Sequence, residues 1–189
     1  MENNVASARQ KLLDLLVTYA YKEGDFTLSS GQKSNFYLNG KQVTLRADGA
    51  LLVGQLIFAM LTPETKAVAG LTLGADPIVT AVSVVSAYEN KPIPAFIIRK
   101  KAKGHGTKAY IEGPELEAGA TITVLEDVVT TGQSAMQAVE RLVDAGYKVN
   151  KIISLVDREA GGAEFYASQN IEFESIFTIG EIQAAYKTK

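Results

Sequence analysis

TITVLEDVVTTGQSAMQAVERL, residues 121 to 142, reads as strand, acidic pair, turn and helix in immediate succession. Thr121 to Leu125 is a β-branched, apolar run of strand formers. Glu126 and Asp127 follow where that strand is expected to end, and then come Thr130, Thr131, Gly132, Gln133 and Ser134, small and hydroxyl-bearing. Ala135, Val139, Leu142 and Val143 recur at helical spacing. Free N–H groups at the start of such a helix point into the turn, and the helix dipole favours an anion there. The hydroxyls of Thr130, Thr131 and Ser134 can donate to the same anion. The two carboxylates lie where acceptors for sugar hydroxyls, or outer-shell partners of a hydrated Mg²⁺, are useful. The stretch is shaped for a ribose 5-phosphate.

Strand–turn–helix units occur throughout doubly wound domains, and an Asp after a strand is often a helix cap. The whole string, however, resembles the phosphoribosyl-diphosphate (PRPP) signature of the type I phosphoribosyltransferases: apolar strand, two acids, two apolar residues (Val128 and Val129), then a Thr/Gly/Ser turn. The resemblance implies that Glu126 and Asp127 bind the ribose hydroxyls. It also implies that Thr130, Thr131, Gly132, Gln133 and Ser134 bind the 5-phosphate. Glu126 stands where many members carry Asp, which retains the carboxylate. The signature is shared across the superfamily and does not name the base transferred.

The 189 residues fit one domain with a substantial core. No apolar run approaches the roughly 20 residues of a membrane span, and Glu2, Asn3 and Asn4 do not open a signal peptide. A cytoplasmic protein is expected. The absence of cysteine excludes disulfides, thiol catalysis and Cys-based zinc sites, and a single histidine, His105, excludes a multi-histidine metal site. A net charge of −2 argues against a broad nucleic-acid-binding surface.

Residues 5 to 20 have the spacing of an amphipathic helix, with Gly24 and Asp25 ending it. FTLSSGQKSNFYLNG, residues 26 to 40, reads as turn and strand, and on pattern alone is equally a surface hairpin. Helices are expected over 47–61, 77–89, 161–167 and 180–186, and strands over 66–69, 95–98, 151–156 and 172–178. Strands alternating with helices predict an α/β fold, a central parallel sheet covered on both faces. Ligands in such folds bind beyond the carboxyl ends of the strands. Gly70 to Pro77, GLTLGADP, offers backbone N–H groups beside a helix start there, though a lone glycine-bearing loop is also a plain connector.

RKKAKGHGTKAYIEG, residues 99 to 113, carries Arg99, Lys100, Lys101, Lys103 and Lys108, with no acid before Glu112. Basic runs are usually solvated faces, but this one has no helical apolar stripe and follows a buried strand directly. It suits a lid that neutralises a polyphosphate. The stretch resembles the catalytic loop of the orotate phosphoribosyltransferases. FTLSSGQKSNFYLN resembles that family's N-terminal substrate segment, GLTLGADPI its diphosphate loop, and SLVDREAGG at 154–162 the strand end beside the base. The resemblance runs in family order from about Gly24 to Gly162.

It implies a type I phosphoribosyltransferase fold in a single domain, 1–189, with residues about 1–45 forming an N-terminal helix and a small hood over the site. Arg99, Lys100, Lys103 and His105 become the catalytic cations that close on the diphosphate, in this family from the partner subunit of a homodimer with shared sites. Thr130, Tyr37 and Arg158 approach the orotate, Arg158 placed for its carboxylate and the Phe36–Tyr37 strand beside the pyrimidine. Mg²⁺ is held mainly by PRPP and water, with Glu126 and Asp127 nearby and no direct protein ligand. Ser29 and Gly74 replace lysines found in some members, which shifts charge neutralisation onto Mg²⁺ and the loop. The chemistry implied is attack of orotate N1 on the ribose C1 through an oxocarbenium-like transition state. Positive charge aimed at the departing diphosphate is what such a site must supply. A transferase for another base shares the 126–134 motif, but Arg158 and the loop at 99–106 argue against it. A PRPP-sensing regulator without turnover is favoured by the missing lysines and opposed by the intact basic loop.

Overall fold

A computed structural model of the chain describes residues 2–27, 33–103 and 110–189, with side chains from residue 5 onward. Eight strands and seven α-helices are present among them: α1 (Glu2–Leu15), β1 (Tyr21–Thr27), β2 (Lys33–Leu38), α2 (Lys41–Thr44), α3 (Ala47–Met60), β3 (Ala67–Leu71), α4 (Asp76–Tyr88), β4 (Ala95–Ile98), β5 (Ile111–Glu112), β6 (Thr121–Val129), α5 (Gln133–Asp144), β7 (Lys148–Asp157), α6 (Gly162–Ser168), β8 (Glu172–Thr178) and α7 (Ile179–Lys187). A π-helical turn, Leu16–Ala20, joins α1 to β1.

Six strands form one sheet in the order β5-β4-β3-β6-β7-β8. Neighbours from β4 to β8 run parallel, and only β5, two residues long, pairs antiparallel at the edge. The central sheet is parallel, as the alternation predicts, with one short antiparallel strand at its edge. Ile111 and Glu112 pair back antiparallel along the outer edge of β4.

Side chains alternate between the two faces. Ala67, Ala69, Leu71, Ile122 and Val124 pack with Ala135, Val139, Leu142 and Tyr166 of α5 and α6. Val68, Leu125 and Ile153 pack on the opposite face with Leu12, Val53, Ile57, Val79 and Ile182, from α1, α3, α4 and α7. At about 25 cal/mol per Å² of apolar surface these two layers supply the main driving force for folding.

The chain turns away in opposite directions from β3 and β6, so the topological switch lies between them. Their register stops at Ala69↔Val124, while β6 continues beside β7 as far as Val129↔Asp157. The upper half of β6 is thus paired on one side only, and a crevice opens on the other. This is where ligands bind in such sheets.

Two expectations are corrected here. The strand does not end at Leu125; Glu126 and Asp127 lie within β6, because β7 keeps offering backbone partners beyond them. Nor do Gly24 and Asp25 end the first helix. They sit inside β1, at an irregularity between Glu23 and Phe26 in its antiparallel pairing with β2. The start of β1 and the helix before it are tied to β8 and α7. Arg9 donates to the Ile176 carbonyl, pairs with Glu181 and stacks over Phe177, while Tyr21 meets Tyr186 edge-on.

Candidate active site

Glu126 enters the crevice from a strand whose neighbours bury it, and its residue is 6% exposed. Oε1 accepts from the Asp127 N–H, whereas Oε2 is buried without a partner among the described residues. Burial above all, then the side chain and charge of Asp127, push its pKa up to about 9, with the Asp127 N–H and Lys100 acting in the opposite direction. The field of Lys100 therefore reaches an acid of its own chain. The upward shift favours the protonated carboxyl, which can donate as well as accept.

Asp127 faces the other way across the pleat. Its Oδ1 accepts from the Val128 N–H and its Oδ2 lies 3.6 Å from Nζ of Lys41, the first residue of α2. The loop after β3 runs directly beside it. A β-carbon on Gly74 would lie 2.6 Å from Cγ of Asp127, so no side chain fits there without moving the acid. Thr72 fastens the same loop by donating to Oδ2 of Asp76 at 2.7 Å. Ser29, the other position where a lysine was considered, lies outside the described residues.

Beyond β6 the turn closes on itself. Gly132 has φ +85°, a left-handed conformation that disfavours other residues, and a β-carbon there would meet the Tyr166 ring at 2.8 Å. From this position α5 starts with no side-chain cap. Glu126, Val128, Val129, Thr130, Thr131, Gly132, Gln133, Ser134 and Tyr166 surround a cavity of about 70 Å³, with the helix N-terminus directed at it. That is the volume of about two liquid waters. It suits a compact anion held by free N–H groups. The Tyr166 hydroxyl is buried behind the turn without a hydrogen-bond partner among the described residues, another member of the cavity wall that the sequence did not single out.

The basic segment starts at the end of β4, next to the loop that holds Thr72. Arg99, Lys100, Lys101, Lys103, Thr72 and Glu112 line a second cavity of about 700 Å³. Arg99 pairs with Glu112 at 3.0 Å, and Lys103 lies 3.9 Å from the same carboxylate. Lys100 is exposed. His105 lies outside the described residues.

Arg158 follows β7 and is anchored by its N–H to the Val129 carbonyl, 2.9 Å away. Its guanidinium sits 4.6 Å from the centroid of the Phe36 ring and has no acidic partner among the described residues. Burial lowers its pKa from the ordinary arginine value, a mark of a partly dehydrated cation without a counter-charge. Tyr37 is not brought to this place. It points to the opposite face of β2, packs on Phe26 and is 43% exposed. The alternation was readable: Phe36 and Leu38 are the apolar pair on one side of the strand, and Tyr37 shares the other side with Lys33 and Asn35. Lys41 had no comparable signal, since only the tertiary fold brings it to Asp127.

Among the described residues no group of three acidic or histidine side chains is arranged to hold a metal directly. No helix among them is long and apolar enough to cross a membrane.

No family model matches the chain. It is 67% identical over 184 residues to the orotate phosphoribosyltransferase of Nostoc sp. (strain PCC 7120 / SAG 25.82 / UTEX 2576), covering 97% of this chain and 89% of that protein. Among solved structures, orotate phosphoribosyltransferase of Mycobacterium tuberculosis H37Rv in complex with Fe(III) dicitrate is similar at TM-score 0.83 and 35% identity, over 93% of this chain and 98% of that one. The same M. tuberculosis enzyme in complex with PRPP is similar at TM-score 0.78 and 32% identity, over 93% and 99% of the two chains.

Proposed function

The chain belongs to the orotate phosphoribosyltransferase family, and from that premise we propose how its own residues share the work of the reaction. The enzyme transfers ribose 5-phosphate from PRPP to orotate, giving orotidine 5′-monophosphate and diphosphate in pyrimidine (UMP) biosynthesis. The 5-phosphate sits in the cavity at the start of α5, on the N–H groups and hydroxyls of Thr130 to Ser134. Glu126 and Asp127 hold the ribose hydroxyls, Glu126 as donor and acceptor, Asp127 as an acceptor beside Lys41. The diphosphate lies between the 72–76 loop and the basic segment, met by Arg99, Lys100, Lys103 and His105. For Arg99 and Lys103 this requires leaving Glu112, so a polyphosphate with more negative charge competes for cations that are already ordered.

Orotate takes the place beside Phe36 with its carboxylate on Arg158. The observation that carries this assignment is the half-dehydrated guanidinium of Arg158, stacked over an aromatic ring with no acid beside it. Such a cation gains when a ligand brings a carboxylate.

The donor set fits Mg²⁺ in an outer-shell role. Glu126 and Asp127, the latter 3.6 Å from Lys41, are the two acids of β6 at the crevice, and among the described residues no third acid or histidine joins them to hold a metal directly. When bound, Mg²⁺ supplies positive charge to the leaving diphosphate. The protein's part is to orient the two substrates, to present Lys100 and Lys103 to the leaving group, and to keep water from the sugar cation.

A homodimer with shared sites is part of this reading. Support comes from an apolar groove of about 630 Å³ between α3 and α4, in which Leu51 is 53%, Val84 52% and Leu73 65% exposed. Leu73 belongs to the loop assigned to the diphosphate, so a second copy covering the groove would also touch the site.

The test follows absorbance at orotate's wavelength with PRPP and Mg²⁺. Arg158→Ala is expected to raise the orotate KM about 10- to 150-fold, the effect of losing a charged hydrogen bond worth roughly 1.5–3 kcal/mol, while the PRPP KM stays close to native. Uracil, without the carboxylate, should be a poor substrate. Equal use of uracil and orotate would overturn the assignment of Arg158.

A further inference from the structure

Arg141 occupies the last turn of α5, 42 residues from Arg99 in sequence. A cation in that position is ordinarily explained by the helix dipole. Here the side chain leaves its own helix for another element. Nη1 donates to the Arg99 carbonyl, and Nη2 donates to the Lys100 carbonyl at 3.2 Å. The plane of the same guanidinium lies 4.3 Å from the centroid of the Tyr110 ring. The Arg99 N–H is bonded to the Tyr110 carbonyl at 2.8 Å, which brings the two limbs of the basic segment together at this one side chain.

We propose that Arg141 is a positioning residue for catalysis: it fixes the peptide units of Arg99 and Lys100, and with them the direction in which those two cations project. The proposal rests on the reading that Arg99 and Lys100 meet the diphosphate. Three features of the geometry support it. Two adjacent carbonyls at the end of β4 are held by one planar fork, a pattern that sets an orientation as well as a distance. The ring of Tyr110 closes the fork from the other limb. And α5 is a rod of 12 residues, about 18 Å long, whose opposite end is the phosphate turn. Arg141 thereby references the basic segment to the helix that starts at the 5-phosphate cavity.

A structural role alone would lower stability without choosing between substrates. A positioning role separates the two. Arg141→Met, which keeps the aliphatic stem and removes all donors, is expected to lower kcat/KM for PRPP about 10- to 100-fold, as displaced catalytic groups do. The KM for orotate should be unchanged. Arg141→Lys keeps the charge but cannot span two carbonyls, so it should not restore the loss. Far-UV circular dichroism and the unfolding midpoint check that both variants fold, and the Lys variant keeps the experiment decisive if the Met variant does not. The deciding measurement is the double-mutant cycle with Lys100→Ala. If Arg141 acts by directing Lys100 and Arg99, removing Lys100 leaves less for Arg141 to do, and the two losses should combine to less than their product. Losses that simply multiply, or full activity in Arg141→Lys, overturn the positioning role while leaving the diphosphate reading intact. If Lys100→Ala by itself costs nothing, the diphosphate reading fails and the proposal fails with it.

Discussion

Glu126 and Gly74 show how single atoms set this site. Glu126 has an ordinary value of 4.5 and, driven chiefly by burial, about 9 in the folded chain. Between those two values the folded state binds more protons than the unfolded one, so stability falls as pH rises through that window. The stabilising contribution of its protonated form is complete below about 4.5 and gone above about 9. Glu126→Gln, a permanently neutral mimic, is expected to flatten this dependence. Its unfolding midpoint should drop less than the native one between about pH 5 and pH 9 by calorimetry, and an equal drop would show that Glu126 is ionised in the folded chain. Gly74 has its consequence through Asp127. Gly74→Ala forces the acid aside and should weaken PRPP binding by about 1.5–3 kcal/mol, similar to Asp127→Asn, with the fold retained. Calorimetric titration with PRPP measures both, and unchanged affinity in Gly74→Ala would mean that Asp127 has room to move.

At the scale of elements, the regular parts were legible. α3 and α4 lie within one residue of the spans predicted from apolar spacing, and β4 and β8 coincide with theirs. Each of these has a strong local pattern, and local pattern is what periodicity measures. β6 was read four residues short because two acids look like an end to a strand, and only the distant partner β7 keeps them in register. β1 was missed for a related reason: Gly24 and Asp25 resemble a helix stop, and the strand exists because β2 pairs with it. In the site, the phosphate turn could be read because its residues are contiguous. Arg141 and Lys41 could not, since each acts on a segment far away in sequence. The basic segment gives the expectation at this scale. Lys101 and Lys103 are exposed and belong to no helix or strand. Trypsin should cut after them in the free protein, and PRPP with Mg²⁺ should protect those bonds. Cleavage that saturating ligand leaves unchanged would argue that the segment does not close on substrate.

For the whole molecule, the expectation concerns assembly. Leu51→Glu together with Val84→Glu places charge in the apolar groove and should convert a dimer to monomers in analytical ultracentrifugation, with loss of activity. A dimer that survives both changes would move the interface elsewhere. Sharing of sites has its own readout. Lys103→Ala and Asp127→Asn should each give a nearly inactive dimer, and equal mixing should make about half the dimers mixed. If the basic segment serves the partner's site, one site of each mixed dimer carries both changes and the other neither, so roughly a quarter of native activity returns. Subunits that exchange and stay inactive would show that each segment serves its own chain.

The bond between the molecule's two ends bears on how it is made. Arg9 finds the Ile176 carbonyl, Glu181 and Phe177 only once nearly the whole polypeptide has been synthesised, and Tyr21 at the start of β1 waits for Tyr186. These contacts of α1 and β1 therefore form late in synthesis, although α1 already packs on α3. The turn after β6 and its strand, whose partners lie nearer in sequence, can dock earlier. During translation that turn is in place before β1 is fastened to α7. A nascent chain stalled at about residue 170 should already protect α5 from protease, while trypsin still cuts after Arg9, whose partners Ile176, Phe177 and Glu181 are not yet made.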